Sequence, residues 1–187
     1  MPPREIYQLR VMLLEIEPPV WRRFQLRGTS TLATLHAILQ DVMGWTNSHL
    51  YFFEIGEEDY EEPGPEAEGA NARKTQLGQL GLRPGDRFDY LYDRGDNWRH
   101  EVLVEAVLSP VRDRDYPVCL DGARACPPED CGGVPGYVSI LEALENPTGP
   151  EFRETLEWLD GFYNPEVFDV RATNRILGLA HPDRRRK

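Results

Sequence analysis

The sequence predicts an α+β domain: a mixed, mainly antiparallel sheet in the order strand-strand-helix-strand, then a hairpin, reminiscent of a β-grasp arrangement, with C-terminal helices packed on it. Three features carry this expectation. Apolar residues alternate with polar ones near the N-terminus and again in the middle of the chain, which is the period of half-buried strands. A single strong 3.6-residue stripe runs between those strand regions. Two further helical patterns follow the last predicted strand.

Tyr7, Leu9, Val11 and Leu13 form one face of the first predicted strand. Pro18 and Pro19 remove two backbone donors and break the chain before a second strand over 20–26. Trp21, Arg22 and Arg23 are read there as an edge aromatic beside solvated guanidinium groups. Thr29 or Ser30 is the expected cap of a helix whose buried stripe is Leu32, Leu35, Ile38, Leu39, Val42 and Met43, with Gly44 as its stop. His36 falls off the densest part of the stripe and is read as a surface or boundary residue. A third strand is expected over 49–55, with His49 at its mouth.

Residues 57–68 carry acids, no bases and a Pro-Gly-Pro step, so a mobile acidic loop is expected over 57–74. Phe88, Tyr90 and Tyr92 share a face of the next strand, and the turn-rich loop from Asp93 to Asn97 leads into its hairpin partner. In that partner Trp98, His100, Val102, Val104, Ala106 and Leu108 have one parity. Tyr137, Ile140, Leu141 and Leu144 mark a helix ending near Asn146-Pro147, and Phe152, Leu156, Leu159 and Tyr163 the buried face of a second. A weaker helical stretch and a basic tail over 181–187 complete what is read as one domain over 1–187.

A 187-residue chain that is 40% hydrophobic and 10% aromatic has material for one good core, so global disorder is excluded. The formal net charge of −11 sets the whole-molecule field against nucleic acid and anionic membranes. An unknown protein or small-molecule partner is expected instead. With no bilayer-length apolar run and an odd number of cysteines, the expected location is the cytoplasm and a disulfide framework is not expected.

The chemistry-bearing residues concentrate over 93–133. Cys119, Cys126 and Cys131 have Cys-x6-Cys-x4-Cys spacing, three soft ligands to which zinc would add a fourth, with His100 or Asp130 as candidates. The spacing lacks Cys-x2-Cys knuckles, so buried thiols are the competing explanation. Asp96, His100, Glu129 and Asp130 are the candidate acid/base set, provided the 93–100 and 119–133 loops meet. No phosphate loop, Gly-x-Gly-x-x-Gly or Gly-x-Ser-x-Gly motif is present.

Four blocks also carry a resemblance: IYQLRVMLLEIEPPVWRR over 6–23, the helix-to-strand segment over 35–53, YDRGDNWRHE over 92–101, and CPPEDCGG over 126–133 followed by Gly136-Tyr137. In this order they resemble the plasmid pRiA4b ORF-3-like family. The resemblance implies a compact α+β fold found in plasmids and beside transposable elements, and it implies no activity. Three functions are weighed: a binding or accessory module with a polar or metal site built by the two loops, a small metal-dependent or hydrolytic enzyme using the same residues, and a plasmid or transposon accessory protein contacting DNA.

Overall fold

The computed structural model of the chain describes residues 5–65 and 67–182. Its centre is a sheet of eight strands: β1 (Ile6–Leu13), β2 (Trp21–Arg27), β3 (Tyr51–Ile55), β4 (Glu58–Glu61), β5 (Ala70–Asn71), β6 (Arg87–Tyr92), β7 (Trp98–Leu108) and β8 (Val118–Ala123). They lie in the order β5-β4-β3-β6-β7-β1-β2-β8. Every neighbouring pair is antiparallel except β4 with β5. With helices α1 (Leu32–Met43), α2 (Gly133–Glu145), α3 (Pro150–Trp158) and α4 (Val170–Ala180), the fold is the α+β class expected. No helix among the described residues is long and apolar enough to cross a membrane.

The α1 stripe packs on the sheet, burying Leu32, Leu35, Ile38 and Leu39 completely against a core that includes Leu9, Val11, Phe24, Phe53 and Val102. Its cap is Thr31 rather than Thr29 or Ser30, because the Thr31 hydroxyl accepts from Thr34 N at 3.1 Å. Gly44 ends the helix in the left-handed region at φ 94°, as a C-terminal glycine should. His36 is buried in the core rather than at its boundary. Its Nδ1 meets the Tyr90 hydroxyl at 2.8 Å and its Nε2 the Asn47 amide oxygen at 2.7 Å.

The acidic segment over 57–74 contributes β4 and β5 to the sheet edge. Strand pairing supplies what composition could not: the Glu61 carboxylate accepts from the backbone of Glu68 and Gly69, and Arg73 pairs with Glu62. A bulge shifts the β1–β7 register, pairing Gln8 with Ala106 and Leu9 with Val104, so Glu105 is the extra residue. Beyond it the parity reverses, so Val107 packs against the core and Leu108 turns outward.

β8 is a strand where only loop was expected. It pairs with β2, and Asn174 of α4 clips its outer edge by receiving Cys119 N and donating to Cys119 O, both at 2.8 Å. Arg22 also departs from its surface assignment, being 1% exposed and stacked 3.8 Å from the Phe168 ring centroid. The expected face of α3 is only partly covered: Phe152, Leu156 and Leu159 are half-buried, Tyr163 beyond the helix packs against the core, and none of the helix's residues is fully buried. Of the basic tail, only His181 and Pro182 lie within the described residues. His181 bonds Asp41 of α1 at 2.7 Å.

Candidate functional site

The 93–100 and 119–133 loops meet at the start of α2. Gly132 N donates to the Asp96 carboxylate at 3.1 Å, and Gly133, at φ 67°, lies so close that an added Cβ would stand 2.5 Å from Asp96 O. Pro127 O accepts from the Trp45 indole at 3.0 Å. Glu129 accepts from the Tyr92 hydroxyl with one oxygen and from Thr46 N, at 3.0 Å, with the other. The cysteine-bearing loop is thereby fastened to the end of β6 and to the segment between α1 and β3.

This docking separates the predicted acid/base residues. Asp96 caps the loop junction, and both Glu129 oxygens are engaged. His100 points into the core, fully buried beneath Trp45, whose ring stands edge-to-face to it at 5.3 Å. Its Nδ1 lies 3.1 Å from Tyr90 O, which only an N–H can satisfy, so Nδ1 carries the proton. Nε2 is buried without a hydrogen-bond partner, and burial lowers the pKa to about 4. His100 is therefore a neutral core residue.

The cysteines take separate places in the fold. Cys119 is buried on β8 opposite Phe24, Cys126 has its carbonyl bonded to the Tyr163 hydroxyl, and the Cys131 thiol approaches Gly133 O at the start of α2. Burial pushes the Cys119 thiol up to about 11 and Cys131 up to about 12, and raises Cys126 as well. That is the reverse of an activated nucleophile. The three thiols do not form a ligand group with His100 or Asp130 among the described residues.

A different group converges. His49, Asp93 and Asp130 place one ligand atom each within 4.8 Å of one another. His49 Nε2 lies 2.8 Å from Asp130 Oδ1 and 3.5 Å from Asp93 Oδ2. Metal bonds of about 2.0–2.2 Å give coordination-polyhedron edges of roughly 2.8–3.6 Å from octahedral to tetrahedral geometry, so these separations suit one small divalent cation. Asp93 is buried and fixed, since its other oxygen accepts from Gly95 N at 2.8 Å. The Tyr92 ring stands edge-to-face to His49 at 5.9 Å. Asp130 is exposed, so the group opens to solvent.

Each predicted loop thus supplies one carboxylate of the group, Asp93 and Asp130, and the histidine comes from neither. His49 precedes β3 and Asp93 follows β6, and the two strands pair with Tyr51 opposite Tyr92. That pairing carries both residues to the same end of the sheet. Because β4 and β5 intervene in the chain, local patterning shows no such neighbourhood; a correct β3–β6 register would have.

The plasmid pRiA4b ORF-3-like family model matches residues 5–172. The chain belongs to this family. Within reach of the family's fold, the chain is similar to the uncharacterised protein y4hQ of Sinorhizobium fredii, at 40% identity over 156 residues, 82% of this chain and 80% of that one. It is also similar to the crystal structure of MM3350, a protein of unknown function from Methanosarcina mazei Go1. There the TM-score is 0.82 at 33% identity, covering 89% of this chain and 96% of that one. The fold is therefore shared with the Methanosarcina mazei protein, and neither relative's name carries an activity.

Proposed function

We propose that the protein is a binding module whose ligand site is a solvent-open divalent-cation centre made by His49, Asp93 and Asp130. The observation that carries this reading is the convergence of one imidazole and two carboxylates, each from a separate segment, at coordination spacing. Two carboxylates and a neutral imidazole suit zinc or manganese, and three protein ligands leave positions for water or a ligand donor. Binding is favoured over catalysis because Glu129 is committed to Tyr92 and Thr46 and His100 is sealed in the core. Three unpaired cysteines fit a reducing, cytoplasmic compartment.

Calorimetric titration of chelator-treated protein with Zn²⁺ and Mn²⁺ tests the reading. His49→Ala and Asp130→Asn should each weaken binding by more than about tenfold, a loss that even indirect disturbance of a metal site commonly reaches. A Cys126→Ser plus Cys131→Ser variant should bind as the parent does. Equal affinity in His49→Ala and parent, or loss of binding only in the cysteine variant, would overturn the assignment.

A further inference from the structure

Beside the cation centre lies a groove of about 380 Å³, lined by Asp130 and Cys131 from the loop, Ile140 from α2, and Glu154, Thr155 and Trp158 from α3. Its construction explains an oddity of α3. The helix carries a tryptophan but buries none of its own residues fully, and Trp158 is 51% exposed. Glu154 and Trp158 are one turn apart, so a carboxylate and an indole share the face that lines the groove.

Trp158 also differs from the other three tryptophans in its partners. Trp21, Phe52, Tyr116 and Phe168 each lie beneath an arginine of this chain, and Trp45 and Trp98 pack in a ring cluster. Among the described residues Trp158 has neither a ring nor a cation against it, and Glu154 has no ion-pair partner. A free indole face, an unpaired carboxylate one turn away and a second carboxylate at Asp130 are complementary to a cation with an apolar stem. The planar guanidinium fits better than an ammonium, because it stacks on the ring while presenting a fork of donors to a carboxylate. The chain's net charge of −11 further favours a basic partner.

We infer that this groove is a docking site for an arginine side chain presented by a partner protein, with the guanidinium stacked on Trp158 and paired with Glu154. The inference stands whether or not a cation occupies the neighbouring centre; Asp130 is the shared residue, so the test varies the other two.

The probe is the peptide acetyl-Ala-Arg-Ala-amide, titrated into chelator-treated, isotope-labelled full-length protein and followed by NMR. Saturable shifts are expected at residues 130–131, 140 and 154–158. The citrulline counterpart, isosteric and uncharged, should bind at least about fivefold more weakly, and Trp158→Ala and Glu154→Gln should each cost a similar factor. Both positions are exposed on a helix without buried residues, so the variants should fold, and their Zn²⁺ affinity should be unchanged. Equal binding of the citrulline or a leucine peptide, or indifference to both substitutions, would overturn the inference. So would a homodimer that Trp158→Ala dissociates in the absence of peptide binding, which would assign the groove to a second copy.

Discussion

His36 and His100 show how one residue type takes opposite roles within a single chain from His49. His36 sits in a closed network: the Tyr90 hydroxyl donates to its Nδ1, Gln40 donates to that hydroxyl, and Asn47 N donates back to Gln40. Burial holds both His36 and His100 near a pKa of about 4 against 6.5 for a free imidazole. Charging His100 would add a donor at Nε2 with no acceptor to receive it. Between those pH values the unfolded chain binds more protons, so stability rises with pH there; it is fully present above 6.5 and lost as pH falls through 4. The effect of His100 is on the order of 3 kcal/mol. Urea midpoints measured from pH 7 to pH 4 should fall, and His100→Phe should give a flatter profile. Parallel profiles for parent and variant would show that this imidazole does not titrate with unfolding. Sequence parity identified the buried face on which His100 sits but not its polar partner, because Tyr90 O comes from the neighbouring strand.

At the scale of elements, the start of α2 decides whether the two loops form a site. Gly136 lies so near Cys131 O that an added Cβ would stand 1.7 Å away, and Gly133 combines left-handed backbone with its contact to Asp96. Gly133→Ala is expected to cost about 1–3 kcal/mol and to weaken Zn²⁺ binding, because the loop bearing Asp130 is displaced from the one bearing Asp93. Gly178, on α4 with open space around its Cβ position, is the contrasting case: Ala there should be neutral or stabilising by up to about 1 kcal/mol. Urea unfolding and cation titration of both variants check the pair, and undiminished Zn²⁺ affinity in Gly133→Ala would show that the junction does not position the ligands. The helix α2 itself is legible from Tyr137, Ile140 and Leu141. The requirement for glycine at Gly133 is not, since it arises from Asp96 on the other loop.

Across the whole molecule, Arg22 joins elements that no local pattern connects. Its guanidinium donates to Val42 O at the end of α1, to Trp21 O, and to Ala123 O on β8, while Phe168 covers its face. Burial lowers its pKa, while three carbonyls accept from it and the ring stacks on its face. Arg22→Met keeps an apolar stem but leaves the Val42 and Ala123 carbonyls without this donor, at an expected cost of roughly 2–3 kcal/mol. Urea unfolding should register that loss, and hydrogen exchange should quicken first in β8 and α4. A change below about 1 kcal/mol, or exchange unaltered in those elements, would show that Arg22 is not the joint between the sheet edge and the C-terminal segment.

By itself the sequence determined the strands β1, β2, β3, β6 and β7, the helix α1 with its Gly44 stop, the helix α2, and the α+β class, because each rests on periodicity and turn chemistry within a short window. It also marked 93–133 as the region richest in chemistry. Tertiary structure alone decided which of those side chains face one another. Pairing of β3 with β6 put His49 beside Asp93, docking of the 126–131 loop on Trp45, Tyr92 and Thr46 brought Asp130 to them, and His100 was sealed in the core beneath Trp45. The physical reason is that a ligand group is defined by separations of a few ångströms between residues far apart in the chain. Those separations are set by strand register and loop docking, to which local sequence periodicity is blind.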